Sequence, residues 1–280
     1  MNRLSIVLAA VAGILAGALG FSLLNQPQPE TDAVAVRAIV EQVLAEQVAE
    51  APAPAMVDPA ALNPLIEDFL MSDPKVLQRL SVALEDTLRV EEEERTKVAM
   101  TDFRDAIFHA PDQIVIGNPD GDVTLVEFFD YNCGYCRAAL PDMAALLAED
   151  PNLKVILKEF PILSNESIDA ARIGVLVSET EADYWTFHQT LFSSRGKVDK
   201  AVALQAATEQ GLSPIDLELR MGEEQVARTI QKSYEIAQAL GITGTPTYII
   251  GNEIIPGAIG ADELRSRIAN MRECGSTQCS

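Results

Sequence analysis

The sequence contains few of the residues that nucleic-acid surfaces and metal centres require. In 280 residues it has 2 histidines and 4 cysteines, and 21 Lys and Arg residues against 42 Asp and Glu residues. Nucleic-acid binding needs clusters of Lys and Arg that displace counterions, so this evenly spread acidity excludes a nucleic-acid partner. The net charge of −21 indicates a well-solvated surface.

The scarcity of histidine also limits the catalytic chemistry that the chain can perform. His109 is isolated in the sequence and His188 lies in an aromatic helical segment, so we expect structural roles for both. No Ser/His/Asp set, phosphate-binding loop or metal motif can be assembled from the sequence. We therefore expect no cofactor and no metal site.

One long hydrophobic segment occupies residues 4–24, behind Arg3, the only charged residue among the first 24. A cleaved signal peptide fits the small residues Ala18 and Gly20, with cleavage after Gly20. An uncleaved membrane anchor fits the length of the segment. Both alternatives export the rest of the chain, so we expect a periplasmic location, where disulfide bonds persist.

Residues 25–61 are predicted to form a linker between this segment and the rest of the chain. They are rich in Pro, Ala and acidic residues, with a short helical pattern over residues 33–50. Prolines at positions 52, 54, 59 and 64 argue against a continuous helix over residues 51–64.

Residues 62–110 are predicted to form a helical stalk. Asp73 and Pro74 are typical of a helix start, and leucines follow at helical spacing at positions 77, 80, 84 and 88. A long helix with one apolar stripe must bury that stripe, so we predict that several copies associate into a homo-oligomer. The alternative is that the stripe packs onto the chain's own domain.

From residue 111 the pattern is that of an α/β domain. β-branched and aromatic residues predict buried strands at Val123–Phe129 and Leu153–Phe160, with a helix at Arg137–Glu149 between them. This is a βαβ unit with parallel strands. The remaining predictions are mostly helical structure over 168–240, a hairpin over 247–255 with a Gly-Asn turn, and a helix over 261–272.

The segment Cys133-Gly134-Tyr135-Cys136 directly follows the first strand and begins the next helix. Unpaired N–H groups and the helix dipole favour a thiolate at Cys133, and a thiolate is the nucleophile in disulfide exchange. Cys136 lies one turn into the helix, where it can form a disulfide with Cys133 and release a mixed-disulfide partner. The motif therefore predicts thiol–disulfide exchange at a redox disulfide.

Cysteines in a C-x-x-C motif have three other uses in proteins. Haem attachment requires His after the second Cys, where this chain has Arg137. Structural zinc would need Cys274 and Cys279, which lie far along the chain at unsuitable spacing, and an oxidising compartment favours a local structural disulfide between them. Copper(I) capture by the two soft thiolates remains the alternative function.

The run Val-Glu-Phe-Phe-Asp-Tyr-Asn-Cys-Gly-Tyr-Cys over residues 126–136, with Gly-Thr-Pro-Thr at 244–247, resembles the DsbA family of thioredoxin-fold oxidoreductases. The helical region upstream and the Thr before Pro246 resemble the trimeric ScsC-type branch. The resemblance implies an α/β thioredoxin fold over residues 111–273, with a helical insertion at about 164–240. The resemblance implies no role for the cysteine-containing tail, 274–280.

The resemblance also implies roles for three residues besides the cysteines. Pro246 is expected to be cis and, with Thr245, to present a backbone edge to a substrate strand beside the cysteine pair. Glu127 is expected to lie beneath the pair and to relay protons to or from Cys136. The alternatives are an ordinary strand-leading proline and a Glu127 at a solvated edge. Lys158 is a possible partner for the carboxylate.

The combined expectation is an exported protein-disulfide oxidoreductase. Its partners would be reduced or wrongly bridged exported proteins and a membrane redox protein. The motif is compatible with two activities: an oxidase that donates its disulfide, and an isomerase or reductase that is kept reduced. The resemblance implies a trimer, and an oligomer favours the isomerase.

Overall fold

A computed structural model of the chain describes residues 37–43 and 58–279. The predicted signal or anchor segment, residues 4–24, lies outside the described residues, as does most of the linker. The chain divides into two compact units, residues 1–78 and 79–280. No helix among the described residues is both long enough and apolar enough to cross a membrane.

In the first unit, residues 37–43 are helical, and a second helix, α1, covers Pro59–Ser72. α1 begins at Asp58, whose side chain accepts a hydrogen bond from the backbone N–H of Ala60 at 3.0 Å. Pro64 lies inside α1. The sequence predicts no continuous helix over residues 51–64; α1 covers only residues 59–64 of that range, and residues 51–57 lie outside the described part of the chain. A proline at this position removes a single backbone hydrogen bond near the start of the helix.

The predicted long helix is present as α2 (Lys75–Asp102) and is followed by a short helix, α3 (Arg104–Phe108). The stripe leucines Leu77, Leu80, Leu84 and Leu88 are all more than half exposed. Near the end of α2, by contrast, Ala99 and Met100 are buried, as are Ile107 and Phe108 of α3. The last ten residues or so of the predicted stalk therefore belong to the core of the α/β domain.

A five-stranded sheet organises this domain, with the strand order β1-β3-β2-β4-β5. β2 and β3 are parallel, and every other neighbouring pair is antiparallel. The strands are β1 (Ile114–Gly117), β2 (Val123–Phe129), β3 (Leu153–Glu159), β4 (Thr247–Ile250) and β5 (Glu253–Pro256). The parallel pair and the hairpin were predicted, whereas the four-residue edge strand β1 was not.

Helices connect the strands as the thioredoxin-like pattern predicts. α4 (Gly134–Glu149) links the parallel strands, and α10 (Ala261–Cys274) follows the hairpin. Between β3 and β4 lie α5 (Asn165–Ser178), α6 (Tyr184–Ser193), α7 (Lys200–Glu209), α8 (Pro214–Arg220) and α9 (Glu224–Ala239). These five helices confirm the predicted helical insertion.

Side chains alternate between the two faces of the sheet and fill two cores. Leu125 and Phe129 of β2 point to a core that includes Cys136 and much of the insertion. Val126 and Phe128 point to a second core against α3 and α9. Glu127 lies between these residues in β2, so its side chain projects to the same face as Leu125 and Phe129.

Candidate active site

A tight turn at the end of β2 positions Cys133. Its backbone N–H donates to the carbonyl of Asp130 at 2.9 Å, and the Asp130 side chain accepts a hydrogen bond from Asn132 N–H at 2.8 Å. Cys133 is then the N-cap of α4, and its Sγ accepts a hydrogen bond from the N–H of Cys136 at 3.4 Å. Only 5% of Cys133 is exposed, so its thiol is more enclosed than a place at a helix N-terminus suggests.

This environment favours the thiolate form of Cys133. The pKa of Cys133 is lowered to about 5, most of all by a hydrogen bond from the Cys136 side chain. Thr245 and the backbone N–H groups of Cys136 and Tyr135 add to the lowering, and burial opposes it. At neutral pH the thiolate form of Cys133 is therefore favoured, and the thiolate is the form of cysteine that attacks disulfides.

The pKa values of Cys136 and Glu127 are raised instead of lowered. Burial raises the pKa of the Cys136 thiol, and its contact with Cys133 and the charge of Glu127 raise it further. Burial, with a smaller contribution from the Cys133 charge, raises the pKa of the Glu127 carboxyl to about 8. The site thus combines one thiolate with two groups that hold protons at neutral pH.

The segment before β4 closes one side of the site. The Thr245–Pro246 peptide bond is cis, and the Cys133 Sγ lies 3.1 Å from the Thr245 carbonyl oxygen. The structure thus brings together Thr245 and the cysteine pair, residues that are more than 100 positions apart in the sequence. Tyr248, two residues after Pro246, lies opposite Glu127 in the β2–β4 register.

Lys158 is not the partner of Glu127. It lies beside Phe128 in the β2–β3 register and therefore projects to the other face of the sheet. There its Nζ donates to the carbonyl of Ala106 at 2.9 Å. Burial lowers the pKa of the Lys158 ammonium to about 8.

The other two cysteines form a disulfide at the end of α10. Cys274 and Cys279 are bonded, with Cα atoms 6.1 Å apart, whereas Cys133 and Cys136 are free thiols. Asn270 of α10 donates to the carbonyl of Thr277 at 2.8 Å, which holds the tail loop against the helix. In the described part of the chain, no group of three or more His, Cys, Asp or Glu side chains is arranged to hold a metal ion.

Three residues next to the cysteines anchor the Cys133 turn to the helical insertion, and the sequence alone predicts no role for them. Asp130 accepts a hydrogen bond from the N–H of Leu163 at 2.9 Å. Arg137, in the first turn of α4, donates to the carbonyls of Phe192 and Ser194. The Asn132 side chain makes three hydrogen bonds to the insertion, two as donor and one as acceptor. The signal in the sequence was their position, directly beside the two cysteines.

A buried polar network lies beneath the same turn. The Tyr131 hydroxyl is 2.9 Å from that of Tyr184, which donates to the Glu159 carboxyl at 3.1 Å. His188 Nδ1 lies 3.3 Å from the Tyr131 hydroxyl, and burial lowers the pKa of His188 to about 3. His188 is thus a neutral structural residue, as expected. Burial also raises the pKa of Glu159 well above its ordinary value.

Comparison with known proteins agrees with this geometry. Residues 124–269 match the family described as DSBA-like thioredoxin domain. A thioredoxin-like oxidoreductase from Silicibacter pomeroyi is 37% identical, with a TM-score of 0.58 over 61% of this chain and 98% of that chain. A linker-deletion mutant of ScsC from Proteus mirabilis is 26% identical, with a TM-score of 0.60 over 79% of this chain and 99% of that chain.

Curated relatives are more distant. Disulfide bond formation protein D of Bacillus subtilis is 25% identical over 167 residues, which cover 56% of this chain and 75% of that protein. Another match, the Na(+)/H(+) antiporter NhaA 1 of Salinispora arenicola, is 23% identical over 164 residues. The chain spans only 25% of that antiporter's length.

Proposed function

Because this chain belongs to the DSBA-like thioredoxin domain family and is a thiol–disulfide oxidoreductase, we propose that Cys133 and Cys136 form its redox centre. The observation that carries the proposal is the pairing of a thiolate at Cys133 with a buried, protonated thiol at Cys136. A single attacking sulfur and a resolving sulfur behind it are what disulfide exchange requires. The substrates are reduced or wrongly bridged exported proteins.

In the oxidising direction, a substrate thiolate attacks the Cys133 sulfur of the Cys133–Cys136 disulfide. The bond between the two cysteines breaks, and Cys136 leaves as a thiolate and takes up a proton. A second substrate thiolate then attacks the substrate sulfur of the mixed disulfide and releases Cys133 as a thiolate. Two electrons pass to the enzyme, and the substrate gains one disulfide.

Glu127 is the proposed proton donor to Cys136. Its carboxyl is buried, interacts electrostatically with both cysteines and holds a proton near neutral pH. Burial makes an unprotonated Cys136 sulfur costly, so a nearby acid lowers the barrier to its departure. Glu127→Gln keeps the shape and removes the exchangeable proton. It should slow exchange and change the pH profile of the rate, whereas an unchanged profile would make Glu127 a structural residue.

The stalk favours an isomerase. The leucine stripe of α2 is exposed in the single chain, and burying it between copies gives a homo-oligomer, for which we propose a trimer. Several active sites held together raise the effective concentration of Cys133 around a bound, wrongly bridged protein. The same assembly would obstruct access by a membrane oxidant and keep the site reduced.

The proposed location is the periplasm, as residues 4–24 indicate by their apolar sequence. The redox partner that regenerates Cys133 and Cys136 would then be a membrane protein. Trapping the cysteines with an alkylating reagent in intact cells distinguishes an oxidase from an isomerase. An oxidase rests as the disulfide, whereas an isomerase rests as two thiols.

Activity assays on two substrates test the function directly. The full chain should form disulfides in a reduced protein and refold a protein with scrambled disulfides. Cys133→Ser should abolish both activities, and Cys136→Ala should accumulate mixed disulfides. Full activity of Cys133→Ser in both assays would remove the cysteine pair from the mechanism.

Copper(I) capture is the second candidate, because two adjacent soft sulfurs, one of them a thiolate, suit this ion. Copper titration before and after alkylation with iodoacetamide separates the two functions. Tight binding that alkylation abolishes, in a chain without exchange activity, would favour the copper function.

A further inference from the structure

We propose that Asn132 is a positioning residue that locks the Cys133 turn to the helical insertion and thereby holds the nucleophile in its reactive geometry. The proposal deepens the proposed function, since it rests on Cys133 as the attacking sulfur. It concerns a side chain that touches neither cysteine sulfur and instead acts through the backbone that carries Cys133.

The Asn132 side chain uses both its amide N–H donors and its oxygen. Its Nδ2 group donates to the carbonyl of Val198 at 2.9 Å and to the Ser167 hydroxyl at 3.0 Å. Its Oδ1 accepts a hydrogen bond from the N–H of Val198 at 2.7 Å. A reversed amide would place like groups against each other at Val198, so these partners fix the orientation of the side chain.

Val198 is a buried residue whose backbone holds the Asn132 side chain in place. It is buried in the segment between α6 and α7, outside both helices. Buried backbone groups outside regular structure need hydrogen-bond partners, and Asn132 supplies one for each of the two at Val198. Ser167, the third partner, lies in the first turn of α5 and is also buried. Asn132 is thus bonded to two separate parts of the insertion.

The turn itself does not depend on the Asn132 side chain. The bonds that form it are from Cys133 N–H to the Asp130 carbonyl and from Asn132 N–H to the Asp130 side chain. Both use backbone donors that an alanine at position 132 would keep. The side chain therefore has a different task, which is to fix where the turn lies relative to the insertion.

That placement matters because Cys133 directly follows Asn132, so the position of the turn sets which groups the Cys133 sulfur meets. Its Sγ accepts a hydrogen bond from the N–H of Cys136 at 3.4 Å. The Cys136 side chain and Thr245, which lies before β4, also lower its pKa. Hydrogen bonds weaken steeply with distance and angle, so a turn that drifts from the insertion would lose part of this stabilisation. The anchors at Asp130 and Arg137 remain, so the loss is partial.

The test uses the full chain and measures the pH dependence of Cys133 alkylation. Asn132→Ala should raise the apparent pKa of Cys133 by about one unit. A change from about 5 to about 6 lowers the thiolate fraction at pH 6 from about nine-tenths to one half, a two-fold loss of alkylation rate. Ser167→Ala removes one of the three bonds and should shift the profile in the same direction by less.

Asn118→Ala is the matched control. The Asn118 side chain also bridges backbone groups, donating to the carbonyl of Pro151 at 3.0 Å and accepting from Asp120 N–H at 3.0 Å. It lies in the loop before β2, at the opposite end of that strand from Cys133. Its replacement removes a similar set of bonds and should leave the alkylation profile of Cys133 unchanged.

An alkylation profile of folded Asn132→Ala equal to that of the parent would overturn the proposal, as would an equal shift in Asn118→Ala. If Asn132→Ala does not fold, the Ser167→Ala profile decides by the same criterion. The readout is independent of the proposed function. A parent chain with a reactive Cys133 but no exchange activity would refute that function and leave the positioning result intact.

Discussion

The buried carboxyl of Glu127 should make the free energy of unfolding of the reduced chain depend on pH in a way that one substitution removes. In the folded chain the pKa of Glu127 is raised from 4.5 to about 8. Between these two values the unfolded chain has released the proton and the folded chain has kept it. The folded state binds more protons, so stability falls as pH rises through this window.

The size of the effect follows from the same two values. Each unit of pKa difference corresponds to about 1.4 kcal/mol, so the raised pKa of Glu127 destabilises the fold by roughly 1 kcal/mol at pH 5 and roughly 3 kcal/mol at pH 7. Glu127→Gln cannot ionise. Relative to the parent, it should therefore gain about 2 kcal/mol of unfolding free energy between pH 5 and pH 7.

Urea denaturation of the reduced chain at a series of pH values measures this difference. Comparing changes with pH, rather than single values, cancels any difference in packing between the two side chains. Glu181→Gln, which replaces an exposed carboxyl in the loop before α6, serves as the control and should follow the parent. Parallel curves for the parent and Glu127→Gln would show that Glu127 ionises normally in the folded chain and would refute this reasoning.

Three further outcomes are expected. Cys133 should alkylate faster than Cys136 at pH 6, since its pKa is about 5 and that of Cys136 is raised, and a faster Cys136 would reverse their roles. Leu84→Glu, at an exposed position of α2, should dissociate the proposed oligomer in sedimentation without unfolding the chain, and a parent that is already monomeric would contradict the stalk hypothesis. Replacing Cys274 and Cys279 together by Ser should lower the free energy of unfolding by roughly 2 kcal/mol at most, because the loop that the disulfide closes is short. The exchange rate should be unchanged, and a loss of activity would give that disulfide a catalytic role.

The main elements of the fold could be predicted because their patterns are local. The buried run of β2 and the motif at the start of α4 identify the βαβ unit, and the Gly-Asn pair marks the hairpin turn. Edge strand β1 has only four residues, too few for a periodic pattern to stand out. Pro64 shows that a local signal can also mislead. Proline disfavours helix interiors, yet Pro64 lies within α1.

The candidate site was predictable where one segment contains it and not where distant segments meet. Cys133 and Cys136 follow from their spacing and position, but the enclosure of Cys133 depends on Thr245, over 100 residues away. The pairing of Lys158 with Glu127 failed because two neighbouring strands can present side chains to opposite faces, and only the register decides which. The role of Asn132 could not be predicted because its hydrogen-bond partners lie far along the chain, in the insertion.

The hydrogen bonds between the Cys133 turn and the insertion limit how this site can be moved to another protein. Moving the Cys-Gly-Tyr-Cys segment into another thioredoxin-fold scaffold would transfer the two sulfurs but leave the partners of Asn132 and Arg137 behind. The smallest transferable unit therefore includes the start of α5 and the segment from the end of α6 to α7. A graft of that unit should reproduce the reactivity of Cys133, whereas a graft of the four-residue motif should adopt the reactivity that its new host imposes.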